Sequence, residues 1–146
     1  MSKTRIKREP EKMKTLMKVA RNAAKRAHAP YSNFRVGAAV LGSSSNIYEG
    51  ANIENASYGI GTCAERVAIA AATMAGEKIE AIAVACVDAQ GAPLSEKMPC
   101  GACRQWIQEL APHAEIMIDG ENKLFKIGDL LPLPFRLAKP KRKRRR

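Results

Sequence analysis

Apolar residues recur along 11–27 at Met13, Leu16, Met17, Ala20, Ala23, Ala24 and Ala27, with no Pro or Gly between them. That spacing predicts an amphipathic helix whose basic residues mostly face water. Pro30 lies just beyond its end. Residues 36–41 and 46–53 flank the polar turn Gly42-Ser43-Ser44-Ser45 and predict a β-hairpin. Residues 63–75 are Ala-rich and unbroken up to Gly76, which predicts a second helix with a glycine stop. The nearly continuous apolar run 79–87 has strand length and reads as a strand buried on both faces. A loop over 88–99, a helix over 101–110 ending before Pro112, and a short strand over 115–118 follow. The last ordered piece is expected over 124–137, interrupted by Pro132 and Pro134.

Strands alternating with helices imply an α/β fold, with a sheet covered on both faces in a three-layer α/β/α sandwich. The 146 residues suit one domain with a real core, and the 46% apolar fraction is ordinary for a globular chain. No apolar run approaches the ~18 residues of a membrane span. The N-terminus is basic but no apolar signal segment follows it, so an internal, reducing compartment is expected, cytoplasmic by default.

The net charge of +11 sits at the ends of the chain. Residues 1–26 carry +8 and residues 139–146 carry +7, leaving 27–138 with 8 basic and 12 acidic residues, a net of −4. Like charges repel and cannot pack, so 1–138 is expected as the folded domain and 139–146 as a disordered basic tail. Such a tail could bind nucleic acid, serve as a nuclear address, or simply be solvated.

Four cysteines in a reducing compartment point to metal or catalytic use rather than a disulfide scaffold. The main signal is Thr62-Cys63-Ala64-Glu65-Arg66 with Pro99-Cys100-Gly101-Ala102-Cys103-Arg104 downstream, both at expected helix starts. A helix N-terminus stabilises a thiolate, the form that ligates zinc. Cys100 and Cys103 can chelate one ion from a single helical turn, with Cys63 completing a three-thiolate set. Three protein ligands leave the fourth position open, as in a catalytic zinc site. Glu65, one turn into its helix, is then placed to move protons. Three thiolates overbalance Zn²⁺ by one charge, and Arg66 is the expected compensation. Taken alone, Cys100-x-x-Cys103 also fits a redox pair or half of a structural zinc site. A redox pair would leave Cys63 and Glu65 unexplained, and Cys86 falls in the apolar strand, where a buried thiol is expected.

The pairing of Cys63-Ala64-Glu65 with Pro99-Cys100-x-x-Cys103 resembles the zinc deaminases. Three further segments are similar to the small, homotetrameric cytidine deaminases: Pro30-Tyr31-Ser32-Asn33-Phe34-Arg35-Val36-Gly37, Asn52-Ile53-Glu54-Asn55-Ala56-Ser57-Tyr58-Gly59, and Leu130-Leu131-Pro132-Leu133-Pro134-Phe135. The resemblance spans residues 30–135. It implies a sandwich around a mixed five-stranded sheet, a Zn²⁺ cofactor, and a homotetramer with active sites shared between subunits. It also implies that Asn52 and Glu54 hold the ribose 3′-hydroxyl and that the backbone around Ala64 meets the base. Phe34 would line the nucleoside pocket, with Tyr58 and Phe135 closing it from adjacent subunits. Gly61 and Met98 depart from the family pattern, where a larger residue and a Ser-like residue are usual.

The activity implied is hydrolytic deamination of cytidine and deoxycytidine to uridine and deoxyuridine, with ammonia released, as in pyrimidine salvage. Two related activities compete: deamination of cytosine in RNA or DNA, suggested by the basic ends, and deamination of a cytosine-containing nucleoside antibiotic. Glu54 argues against the polymer, because a carboxylate at the 3′-position would face an anionic phosphodiester. A non-catalytic binding protein on the same fold is the reading from another class, and the intact Glu65 argues against it.

Overall fold

The computed structural model describes residues 9–138; the basic tail at 139–146 and residues 1–8 lie outside the described residues. Helix α1 (Pro10–Ala24) opens with Pro at its first position, where a missing N–H costs nothing. It ends three residues before the patterning suggests, because Lys25, Arg26 and Ala27 donate to carbonyls three residues back rather than four. Strands β1 (Val36–Gly42) and β2 (Ile47–Ala51) form the expected hairpin. Ser45, at φ 70°, makes the left-handed residue of its turn.

Helix α2 (Ala64–Met74) has Cys63 as its N-cap and stops at Gly76 as expected. Gly76 adopts φ 75°, its N–H donates to Thr73 O, and the Glu77 N–H donates to Ala72 O. This is a Schellman closure, which favours glycine because a Cβ would be strained at that φ. Strand β3 (Ile79–Cys86), helix α3 (Gly101–Leu110) with Cys100 as N-cap, and strand β4 (Glu115–Ile118) match the expected elements. The 88–99 loop contains a single 3₁₀ turn, Leu94–Glu96. The segment expected over 124–137 resolves into strand β5 (Leu124–Phe125), helix α4 (Ile127–Leu130) and, from residue 131 on, backbone without regular structure. Pro132 and Pro134 cannot donate to a ladder or a helix, which accounts for that irregular end.

The sheet has the order β2-β1-β3-β4-β5. The pair β3–β4 is parallel, and β1–β2, β1–β3 and β4–β5 are antiparallel, giving the mixed five-stranded sheet. Its two faces differ in kind. Val40, Ile82, Val84, Ile116 and Ile118 point to one side, where they pack with Ala68, Ile69 and Ala72 of α2 and Ile107 of α3. Ala39, Ala81, Ala83 and Ala85 point to the other, where Leu16 and Ala20 of α1 cover them. Both faces are therefore buried, and the fold is a three-layer α/β/α sandwich. The small residues let α1 approach closely: a Cβ on Gly37 would collide with the Ala20 carbonyl.

Candidate active site

Strand β2 leads into α2 through residues 52–63, and β3 leads into α3 through residues 87–100. The sheet thus delivers two helix N-termini to one place, and each carries a cysteine as its N-cap. Cys63 Sγ lies 3.7 Å from Cys100 Sγ, and Cys100 Sγ lies 3.6 Å from Cys103 Sγ. All three sulfurs lie within 4.8 Å of one another. Tetrahedral ligands at a zinc–sulfur length of about 2.3 Å stand about 3.8 Å apart, so this spacing fits a three-sulfur zinc site. Cys103 is fully buried, Cys63 is half-buried and Cys100 is exposed, so the set opens to one side.

The electrostatics suit thiolate ligands. A hydrogen bond with Cys103, followed by the Arg66 guanidinium 3.7 Å away, lowers the Cys63 thiol to about 5. The shared hydrogen bond and burial raise Cys103. The Arg66 Nη2 reaches Cys63 Sγ, while its buried Nε has no hydrogen-bond partner among the described residues. Cys86 stands apart: it is buried in the core, its Sγ faces the Lys97 carbonyl, and burial pushes its thiol up to about 12. A fourth sulfur is therefore outside the cluster formed by the described residues.

Glu65 is the second residue of α2 and only 4% exposed. Burial pushes its carboxyl up to about 7, with the nearby Cys63 adding to the rise. A carboxyl poised near neutrality can both accept and donate a proton. Ala64, fully buried, forms the first residue of the same helix.

Beside Cys63 and Arg66 opens a cleft of about 560 Å³ that also brings Asn52, Glu54 and Tyr58 together. That volume is within the usual range for small-molecule sites. Glu54 is held by backbone and hydroxyl donors: Tyr31 N and Ser32 N donate to Oε1 at 3.1 Å each, and Ser32 Oγ donates to Oε2 at 2.6 Å. These bonds, Ser32 foremost, lower its pKa and keep it ionised. The Asn52 amide donates to Phe34 O and accepts from Val36 N, each at 2.8 Å. One donor and one lone pair remain for a ligand.

Phe34 is half-buried against the core and does not line this cleft. Tyr58 is 80% exposed and meets Tyr31 edge-to-face at 5.8 Å. Phe135 is 70% exposed and does not line the cleft of its own chain.

Several supporting residues carry no strong sequence signal. Ser32 belongs to a quoted segment, yet only the fold shows that it grips Glu54. Lys97 is buried, with Nζ 2.9 Å from Glu121 Oε1 and 3.5 Å from Asp119 O. It ties the loop that ends at Cys100 to the turn after β4. A buried lysine cannot be told from a loop-surface lysine in a sequence. Arg104 donates to Pro99 O at 2.7 Å, bracing the residue before Cys100.

The chain matches the model of the cytidine and deoxycytidylate deaminase zinc-binding region over residues 10–118. It is 42% identical over 126 residues to the cytidine deaminase of Mycobacterium tuberculosis, covering 86% of this chain and 91% of that protein. A probable cytidine deaminase of Dictyostelium discoideum is 37% identical over 127 residues, at 85% and 82% coverage. The crystal structure of the M. tuberculosis cytidine deaminase superimposes with a TM-score of 0.74 at 37% identity, covering 86% of this chain and 98% of the other. That of the Burkholderia pseudomallei cytidine deaminase gives 0.72 at 39% identity, with 84% and 98% covered.

Proposed function

Because this chain belongs to the cytidine deaminase family, we propose that it catalyses the zinc-dependent hydrolytic deamination of free cytidine and deoxycytidine to uridine and deoxyuridine. The observation that carries this reading is the convergence of three cysteine sulfurs at zinc-ligand spacing beside the buried Glu65. Cys63, Cys100 and Cys103 would hold the metal through Sγ. When bound, zinc supplies a Lewis acid that brings the pKa of a water molecule down to about 7.

The chain's own residues handle the protons and the orientation. The Glu65 carboxyl delivers a proton to N3 of the cytosine ring and takes one from the attacking water. It then delivers that proton to the amino group on C4, which leaves as ammonia, and takes the remaining proton of the added hydroxyl as the C4 carbonyl forms. One water is consumed, Glu65 ends in its starting state, and N3 keeps its proton in the uracil product. Arg66, beside Cys63 Sγ, offsets the excess charge of three thiolates. Its half-buried guanidinium 3.7 Å from Cys63 Sγ supports that role over one as a surface arginine.

Glu54 and the free valences of Asn52 would take the ribose 3′-hydroxyl, and the backbone at Ala64 would meet the base. Glu54 keeps its charge through its three donors, so a 3′-phosphodiester would meet a carboxylate there, which favours a free nucleoside over RNA or DNA. The exposure of Tyr58 and Phe135 supports a homotetramer in which these rings close a neighbour's site; Phe34, outside the cleft lining within one chain, would join the pocket that the assembled tetramer completes. A thiolate cluster needs a reducing environment, which supports a cytoplasmic location. Among the described residues no helix is long and apolar enough to cross a membrane. The proposed domain is 1–138, and nucleic acid would engage the basic tail 139–146 rather than the cleft.

The test is a parallel absorbance and ammonia assay with cytidine, deoxycytidine, cytosine, CMP and a cytosine-containing oligonucleotide, alongside metal analysis. Turnover of both nucleosides with one zinc per chain is expected. Zinc-free enzyme with full activity, or turnover of the oligonucleotide but not of the nucleosides, would overturn the assignment.

A further inference from the structure

Residues 131–138 run from α4 as a strap without regular structure. The strap buries little of its own apolar surface: Leu133 is 93% exposed, Phe135 70% and Leu137 81%. Packing within the chain therefore does little to set its path. The hydrogen bonds are few as well. Leu131 N donates to Ile127 O at its root. Among the described residues, one further bond joins the strap to the body, from Gln105 Nε2 to Phe135 O at 3.0 Å.

The neighbouring side chain on α3 holds the root. Arg104 donates Nε to Pro99 O at 2.7 Å and Nη1 to Leu130 O at 2.8 Å. Its guanidinium forms no ion pair among the described residues, so its charge strengthens both bonds to carbonyls. One guanidinium thus links the residue before Cys100 to the residue before the strap. Two consecutive residues following Cys103 therefore hold the strap's root and the very residue proposed to close a neighbour's site.

We propose that Gln105 is a positioning residue for substrate binding: its amide fixes the Phe135 backbone so that the ring is presented to the neighbouring site in its working place. Arg104 anchors the root of the same strap to the metal-ligand loop. This rests on the proposed role of Phe135 as the ring that closes over the base. The physical effect is preorganisation, since a strap already held at Phe135 loses less freedom when it docks. Gln105 is only half-buried and its bond lies near the surface, so the loss should appear in substrate binding rather than in folding.

The test compares full-length wild type, Gln105→Glu, Gln105→Lys, Phe135→Ala and the Gln105→Glu/Phe135→Ala double variant. Each is assayed for zinc content and cytidine kinetics. Gln105→Glu keeps the shape but loses the donor, and Gln105→Lys restores a donor. Losing one hydrogen bond should raise KM about three- to tenfold in Gln105→Glu, with kcat within about twofold and zinc at one per chain. Gln105→Lys should return KM to within about twofold of wild type. Tryptic cleavage after Arg136 should accelerate in Gln105→Glu alone of these two. In the Phe135→Ala background, Gln105→Glu should change KM no further.

If Phe135→Ala raises KM but Gln105→Glu does not, the positioning role is overturned while the role of Phe135 stands. Multiplying effects in the double variant also overturn it, because Gln105 would then act apart from Phe135. If Phe135→Ala leaves KM unchanged, the proposed role of the ring fails first and this inference falls with it. If Gln105→Glu loses zinc or fails to fold and Gln105→Lys behaves the same way, the residue is structural and the proposal is overturned.

Discussion

Gly50→Ala should damage the active site although residue 50 itself holds no metal, proton or ribose in the proposed chemistry. Gly50 lies in β2 under the first turns of α2. A Cβ there would stand 2.6 Å from both Ala64 O and Ala68 N, and 2.8 Å from Val67 Cβ. These are backbone atoms and a branch point within a helix, so no side chain can rotate out of the way. To reach the 3.4 Å of an ordinary contact, α2 must retreat by about 0.8 Å. That movement carries Cys63 and Glu65 away from Cys100 and Cys103, which ride on α3. Overpacking of this kind costs about 1–3 kcal/mol. In a domain of this size that is a fall in Tm of about 4–12 °C. A displacement approaching 1 Å at the reacting groups can cost on the order of a hundredfold in rate. We therefore expect weakened zinc retention during dialysis and kcat reduced at least about tenfold. Gly128→Ala is the control, because nothing lies within 4 Å of its added Cβ. It should leave Tm unchanged or raised by a few degrees, with full activity. Calorimetry, zinc per chain and cytidine turnover together decide the matter. A Gly50→Ala enzyme with wild-type Tm, one zinc per chain and kcat within about twofold of wild type would refute the reasoning.

Glu65→Gln should retain zinc and fold while losing about a hundredfold or more in kcat, because an amide of the same shape cannot cycle a proton. More than about a tenth of wild-type turnover would mean that another group moves the protons. Arg21→Gln should destabilise the fold by about 1–3 kcal/mol, since it leaves the 4%-exposed Asp119 carboxylate without the guanidinium that binds it at 2.5 and 3.0 Å. Arg21 lowers the Asp119 pKa, so the contribution is complete above the unfolded carboxylate value of about 4 and is lost as pH falls through the lower folded value. The Tm difference between wild type and Arg21→Gln should thus be largest near neutral pH and shrink in acid; a constant difference from pH 7 to pH 2 would contradict it. Removing residues 139–146 takes away seven positive charges and should leave kcat and KM for uncharged cytidine unchanged, while binding to a polyanion such as heparin weakens. A large rise in KM on truncation would show that the tail orders against the site.

The zinc chemistry is legible in the chain because ligand spacing is a local property. Cys100 and Cys103 lie one helical turn apart whatever the rest of the fold does, and a helix start at Cys63 follows from the Ala-rich run behind it. The nearly continuous apolar run over 79–87 is equally local, which is why a strand buried on both faces could be read there, and the polar turn at 42–45 marks the hairpin. The end of the chain was less legible. Residues 124–137 mix apolar positions with two prolines, and neither helical nor strand periodicity wins over so short a length. Only the neighbouring β4 makes Leu124–Phe125 a strand, by offering it an edge.

By itself, then, the sequence determined the helices and strands up to residue 118, the Cys63, Cys100 and Cys103 set with Glu65 beside it, and the separation of an acidic body from basic ends. Tertiary structure decided what those groups experience. It set the distance between Cys63 and Cys100, residues 37 apart in the chain, and it buried Glu65 so that its carboxyl rises to about 7. It put Ser32 under Glu54, Lys97 in the interior behind the ligand loop, and Gln105 under the Phe135 carbonyl. Periodicity and spacing are written in nearest neighbours along the chain. Desolvation, hydrogen-bond partners across long sequence separations and the clearance above a glycine depend on which surfaces meet, and only packing settles that.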